Sequence, residues 1–266
     1  MLISYHNHTN WSDGAPTLAA QIQAARAAGL DELGISDHYV LAPGGEESEW
    51  SMPLDLLGDY VLQLRAAAAE TKDLIVRIGI EADFYPETVE ELRSRLERYP
   101  FDYIIGSVHG VDGFPIDETA KHWDALTESE RNDMWRLYWV RIRQMAESGV
   151  YDFAAHLDLP KKFGHRATVD LTAEAHAALD ALAAAGMAIE INTAGWSLPA
   201  KEAYPSLELL RQARAREIPL LINADAHFTE FLTRDFDRAR DLAREAGYSE
   251  LVRYEGRGQI TYPLDA

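Results

Sequence analysis

No cysteine occurs in the 266 residues, which excludes disulfides and thiolate metal sites in any compartment. Any metal ligand must then be His, Asp or Glu. The chain also lacks a run approaching the ~18 apolar residues that span a bilayer. Its opening, Met1-Leu2-Ile3-Ser4-Tyr5-His6, has no basic region followed by an apolar stretch. No membrane partner and a cytoplasmic location are the simplest expectations. Positive charge is scarce, because 25 Lys plus Arg against 44 Asp plus Glu leave a formal net charge of -19. That sign repels polyanions and disfavours nucleic acid as a partner. Most of the acids are expected to keep the surface soluble, and a few to serve as ligands.

What is present is the composition of a folded soluble protein, 47% hydrophobic and 26% charged. A chain of this length suits one α/β barrel, typically about 250 residues, so residues 1–266 are expected to form a single domain. Short β-branched runs alternate with stretches of helical periodicity, the mark of βα units and parallel strands. The strand candidates are Leu2 to Tyr5, Glu32 to Ser36, Ile75 to Ile80, Tyr103 to Val108, Tyr151 to Ala155, Ala188 to Asn192 and Leu220 to Asn223. The helical stretches between them are Thr17 to Ala28, Leu54 to Thr71, Glu87 to Arg98, Glu128 to Ser148, Ala173 to Ala185, Ser206 to Arg216 and Arg234 to Ala246. Gly29, Gly149, Gly186 and Gly247 follow helices as terminators. Leu41 to Pro53 and Gly110 to Thr127 are the longest loops and the candidate substrate loops, since barrels build their sites from such connections.

The polar residues fall at one strand end after another: His6 and His8, Asp37-His38, Glu81, His109, His156, then Asp225-Ala226-His227. Side chains alternate along extended backbone, so His6 and His8 share a side and can grip one ion, as can Asp225 and His227. A single histidine near a strand end is usually structural, but five of about seven ends marked in this way point to a metal site. Imidazole and carboxylate suit Zn, Mn or Fe, and Glu81 can bridge two ions, leaving room for two or three. His122, His165 and His176 fall in loop, loop and helix and read as structural, with His165 nearest to a substrate role.

The ordered set His6-x-His8, Asp13, Ser36-Asp37-His38, Glu81, His109, His156 and Asp225-x-His227 resembles the polymerase and histidinol phosphatase (PHP) superfamily over nearly the whole chain. Gly79-Ile80-Glu81-Ala82-Asp83-Phe84, Gly106-Ser107-Val108-His109, the stretch His156 to Arg166 and Glu190-Ile191-Asn192-Thr193-Ala194-Gly195 resemble its histidinol-phosphate phosphatase branch. The resemblance implies a distorted TIM-like (β/α)7 barrel with its metals at the C-terminal strand ends. It also implies three divalent ions: His6, His8, Glu81 and Asp225 for one, Glu81, His109 and His156 for the second, Asp13, His38 and His227 for the third. Relatives often carry histidine where this chain has Asp13, and Gly-Ser where it has Asn223-Ala224 ahead of Asp225, a change expected to act on packing more than on ligation.

The expected reaction is hydrolysis of L-histidinol phosphate to L-histidinol and phosphate, with a metal-bridging hydroxide attacking phosphorus in line. Glu81, Asp225 and His227 are the candidate catalytic groups. Asp225, His227 and metal-bound water all remain candidates for the leaving-group acid. Lys161, Lys162, Arg166 and Lys201 are the candidate phosphate cations. Glu46-Glu47-Ser48-Glu49-Trp50 and Asp83 are candidates for the substrate's ammonium and imidazole. Two rival readings stand beside this one. One is a phosphoesterase of the same superfamily acting on another small ester such as a nucleotide. The other is a binding protein with a purely structural cluster, disfavoured because structural zinc sites are closed and four-coordinate.

Overall fold

In the computed structural model, which describes residues 1–45 and 47–265, the β-branched runs become short parallel strands. In chain order the strands are β1 (Ile3–Ser4), β2 (Glu32–Ile35), β3 (His38–Tyr39), β4 (Ile75–Asp83), β5 (Tyr103–Ser107), β6 (Gly110–Val111) and β7 (Phe114–Pro115). They continue with β8 (Phe153–Ala154), β9 (Ala188–Asn192), β10 (Leu220–Asn223), β11 (Glu250–Glu255) and β12 (Gly258–Pro263). The helices are α1 (Leu18–Ala28), α2 (Leu57–Glu70), α3 (Val89–Leu96), α4 (Ala120–Ala125), α5 (Glu128–Ser148), α6 (Thr172–Ala185), α7 (Leu207–Ala215) and α8 (Phe236–Glu245). Glu46 and Ala266 lie outside the described residues.

The main sheet runs β1-β2-β4-β5-β8-β9-β10, with β3 paired to the far half of β4. Its two ends meet beyond the strands proper: His8 N–H donates to the Ala226 carbonyl at 3.0 Å, and Ala226 N–H to that of His6 at 3.1 Å. The result is a nearly closed seven-strand parallel barrel, as expected, distorted where β4 pairs β2 at its start and β3 at its end. The loop read as Gly110 to Thr127 holds the β6–β7 hairpin and α4, so His122 sits on a helix. Helix ends follow local chemistry. Thr127 and Glu130 form a reciprocal capping box at the start of α5, and Gly149 closes it at φ 67°.

Aromatic rings fill the barrel. Tyr103 stacks on Tyr5 with centroids 4.8 Å apart, in a slot left open by two glycines. A Cβ on Gly34 or Gly79 would come within 2.1 Å of the Tyr103 ring or hydroxyl. The β11–β12 hairpin, unexpected from the sequence, seals the floor at the N-terminal strand ends. Tyr254 N–H donates to Tyr5 Oη at 3.2 Å, and Arg253 and Arg77 flank the buried Glu32 at 3.0 and 2.9 Å. With the floor closed, the open end carries the chemistry.

Candidate metal centre

Glu81 stands at the middle of the open end. β4 is hydrogen-bonded as far as Asp83, with Glu81 opposite His38 on one side and Ile105 on the other. Glu81 therefore projects from within the strand and not from the turn beyond it. Its Oε2 lies 3.0 Å from His6 Nε2 and 2.9 Å from His38 Nδ1. Its Oε1 lies 3.2 Å from His156 Nε2 and 3.7 Å from His109 Nε2. Asp225, held in the left-handed region at φ 53°, brings Oδ1 to 3.2 Å from His8 Nε2 and 3.5 Å from His6 Nε2. Asp13 Oδ1 is 3.2 Å from His227 Nε2 and 3.7 Å from His38 Nε2. All nine expected ligands thus converge on one mouth.

These contacts do not satisfy one another. His6 Nε2, His38 Nδ1 and Glu81 Oε2 are buried and make no hydrogen bond, despite separations near 3 Å. The atoms point towards shared space instead of along donor–acceptor lines, and buried polar atoms of this kind are costly without a partner. Divalent cations supply that partner, and the neutral imidazole and carboxylate donors suit zinc-like ions. Three groups, His6-His8-Glu81, His38-Glu81-His109 and His8-Asp13-His38-His227, each have ligand atoms within 4.8 Å of one another. His8 and His38 thus each reach two of the three positions.

Charge arrangement fits the same purpose. Burial, then His227 and His38, press the His8 pKa down to about 3, which keeps a lone pair free. Burial works against charge on Asp13, but His227 and His38 bring its carboxyl down to about 2. Burial likewise opposes an ionised Glu81, and His6 and His38 hold it well below the usual range. Asp37 is not a donor here: its oxygens accept from Thr9 and Ser12 at 2.7 to 3.2 Å, pinning the loop that carries Asp13.

A cavity of about 580 Å3 opens on the cluster, lined by Asp13, His38, His109, His156, Asp225 and His227. Of the four expected phosphate cations only Lys162 lines it, 3.1 Å from Asp117. Lys161 is a correction. It ends an inward 3-10 turn and is fully buried, with its ammonium spent on Asp158 and Glu202 at 2.9 Å and the Ala203 carbonyl at 2.7 Å. Arg166 turns outward to Glu202 at 3.0 Å, and Lys201 is exposed, so neither reaches the cavity. Asp83 is also corrected: only 1% exposed, it accepts from His109 Nδ1 at 2.8 Å and from Ser107, and so faces a ligand and not the substrate space. From the acidic loop, Ser48 and Trp50 reach the cavity wall while Glu47 and Glu49 stay exposed. His165 stacks on Trp123 and pairs with Asp124 away from the cavity.

The family model described as PHP domain matches residues 4–194. The chain belongs to the PHP family. Among PHP relatives, the Deinococcus radiodurans protein named "Probable histidinol-phosphatase" is 39% identical over 232 residues, covering 85% of this chain and 86% of its own. The Lactococcus lactis histidinol-phosphatase is 24% identical over 261 residues, covering 96% and 94%. A crystal structure of the L. lactis histidinol phosphate phosphatase, complexed with zinc, L-histidinol and phosphate, superposes with a TM-score of 0.80 at 22% identity. It covers 97% of this chain and 98% of its own, and supports the PHP barrel fold.

Glu190, Asn192 and Asn223 were noted in the sequence but given no role, Asp117 was covered only by its candidate substrate loop, and the cavity residue Tyr85 escaped the reading. A signal existed for two of them. Glu190 and Asn192 share one side of a fully buried strand that is otherwise Ala and Ile, where period-2 polar residues need a reason.

Proposed function

We propose that this chain is a metal-dependent phosphomonoesterase that hydrolyses L-histidinol phosphate to L-histidinol and phosphate, with three divalent ions of the Zn, Mn or Fe kind. One observation carries the reading: Glu81 offers both oxygens to four histidines at the edge of a closed-in cavity, the geometry of a bridging carboxylate. Together with the 39% identity to a histidinol-phosphatase relative, that favours a phosphoester of this size over any polymer. No helix among the described residues is long and apolar enough to cross a membrane, and the -19 charge suits a small substrate better than nucleic acid.

His6, His8, Glu81 and Asp225 would hold one ion, Glu81, His109 and His156 the second, and Asp13, His38 and His227 the third. Ions held there would supply an acidified water and offset charge on the phosphate oxygens. The protein's own part is orientation and proton placement. Lys162, steadied by Asp117 at 3.1 Å, lines the cavity and would offer its ammonium to the phosphate. Asp225 and His227 line the cavity as well as the cluster, and together with bound water they are the candidates for the acid that protonates the leaving oxygen. Further out, Trp50, Tyr85 and Phe114 with Asp117 and Glu118 make an aromatic, acidic wall that suits a cationic heteroaromatic group.

The test is a substrate panel of histidinol phosphate, nucleotides and phosphotyrosine, run on protein of measured metal content. Histidinol phosphate is expected to give the highest kcat/KM, lost on chelation and restored by Mn, Fe or Zn. His8→Ala and Glu81→Ala are expected to lose several kcal/mol of transition-state stabilisation, about a thousandfold in rate, with the fold largely kept. Preferential turnover of a nucleotide would move the assignment to another small ester.

A further inference from the structure

Glu190 lies behind the metal centre and is fully buried on β9. Among the described residues no Lys or Arg pairs with it; its charge is met by four N–H groups. Both of its oxygens stand 3.1 Å from His6 Nδ1. Oε1 also accepts from the His156 backbone N–H at 3.0 Å and Asn192 Nδ2 at 2.9 Å, and Oε2 accepts from Asn223 Nδ2 at 2.9 Å. Asn192 Nδ2 reaches on to Asp225 Oδ2 at 3.1 Å. One carboxylate therefore touches or indirectly steadies three residues of the donor set, carried on three different strand ends.

We propose that Glu190 is a positioning residue that fixes the tautomer of His6 and sets the affinity of the ions His6 and His156 share with Glu81. An ionised carboxylate only accepts hydrogen bonds, so the ring proton of His6 must sit on Nδ1. Nε2 then presents its lone pair towards Glu81 and Asp225. The buried negative charge also makes the ring a stronger donor to a cation, as carboxylate partners of ligating histidines do.

Glutamine at 190 keeps the shape and breaks this logic. If its amide nitrogen takes the Oε2 position it meets Asn223 Nδ2, donor against donor. Asn223 cannot turn over without losing the bond from Tyr5 N–H to its Oδ1 at 2.8 Å. If the nitrogen takes the Oε1 position it faces the His156 N–H and Asn192. In either pose one oxygen still accepts from His6 Nδ1, but the charge is gone and an amide N–H stands beside the ring proton, so the Nδ1–H tautomer is held less firmly and Nε2 is a weaker donor to the ion.

The inference rests on the reading of the cluster as a metal centre, so zinc affinity of the wild-type protein is measured first, by competition with a chromophoric chelator. Failure of the wild type to bind would sink that reading and leave Glu190 out of the matter. Given wild-type binding, Glu190→Gln is expected to weaken zinc affinity about 10- to 100-fold, with the metal-free melting temperature little changed and activity regained at raised zinc. Glu190→Asp, which keeps the charge but stops a methylene short, is expected to fall between the two. Zinc affinity within twofold of wild type in folded Glu190→Gln would overturn the proposal. So would metal loss in either variant that merely tracks the loss of folded protein.

Discussion

At the scale of residues, the site is a set of protons in the wrong place until a cation arrives. In the metal-free protein burial opposes a charged His109, yet Asp83 and Asp117 lift its pKa to about 10. His227, opposed by burial too, is lifted by Asp13 and Asp225 to about 9. Both rings hold an extra proton at neutral pH, and a ligating nitrogen must give it up. Adding zinc to the metal-free protein at pH 7 in weak buffer is therefore expected to release at least one proton per molecule, with affinity strengthening as pH rises. Uptake without release would contradict these charge states. The stability sign runs the other way: for His109 the contribution to the metal-free fold is complete below about 6.5 and gone above about 10. That the expected ligands would gather at one end was legible in the sequence, because histidines at strand ends have few structural uses in such numbers. Lys161 was not, because a lysine in a polar loop reads as exposed, and only the fold shows Asp158 and Glu202 waiting for it.

At the scale of elements, β9 and β10 were legible to the residue, whereas β4 runs three residues past its expected end at Ile80 and so takes in Glu81. β3, the β6–β7 hairpin, α4 and the β11–β12 hairpin were not legible. β3 is the His38-Tyr39 pair, too short to carry a pattern, and exists because β4 offers it an unpaired edge. The β11–β12 hairpin alternates weakly and is held by what it covers. The slot for Tyr103 shows how β2 and β4 are fitted to β5. Gly79→Ala is expected to cost roughly 1–3 kcal/mol by overpacking, seen as a lower urea midpoint. An unchanged midpoint would mean the ring has somewhere else to go. Glu81 lies two residues along the same strand, so a loss of metal affinity beyond the loss of stability would indicate that the strand itself had shifted.

At the scale of the whole molecule, burial falls from floor to mouth. His6 and Glu81 are wholly covered, whereas the side chains of Asp13 and His227 are 34% and 29% exposed. The carboxylates behind the outer histidines, Glu81 at His38 Nδ1 and Asp225 at His227 Nδ1, are themselves expected ligands, unlike Glu190 and Asp83. On the three-ion reading, a graded chelator titration is expected to remove the outer ion first, with a small fall in melting temperature, and the inner pair later with a larger one. Loss of all ions in a single step would argue for one cooperative cluster. The floor has a separate consequence, for the order in which the protein can be made. Residues 250–263 leave the ribosome after every expected metal ligand has been translated. Until Arg253 and Tyr254 arrive, Glu32 and Tyr5 lack part of their cover, so a growing chain carries all nine ligands before it has the base on which the barrel rests.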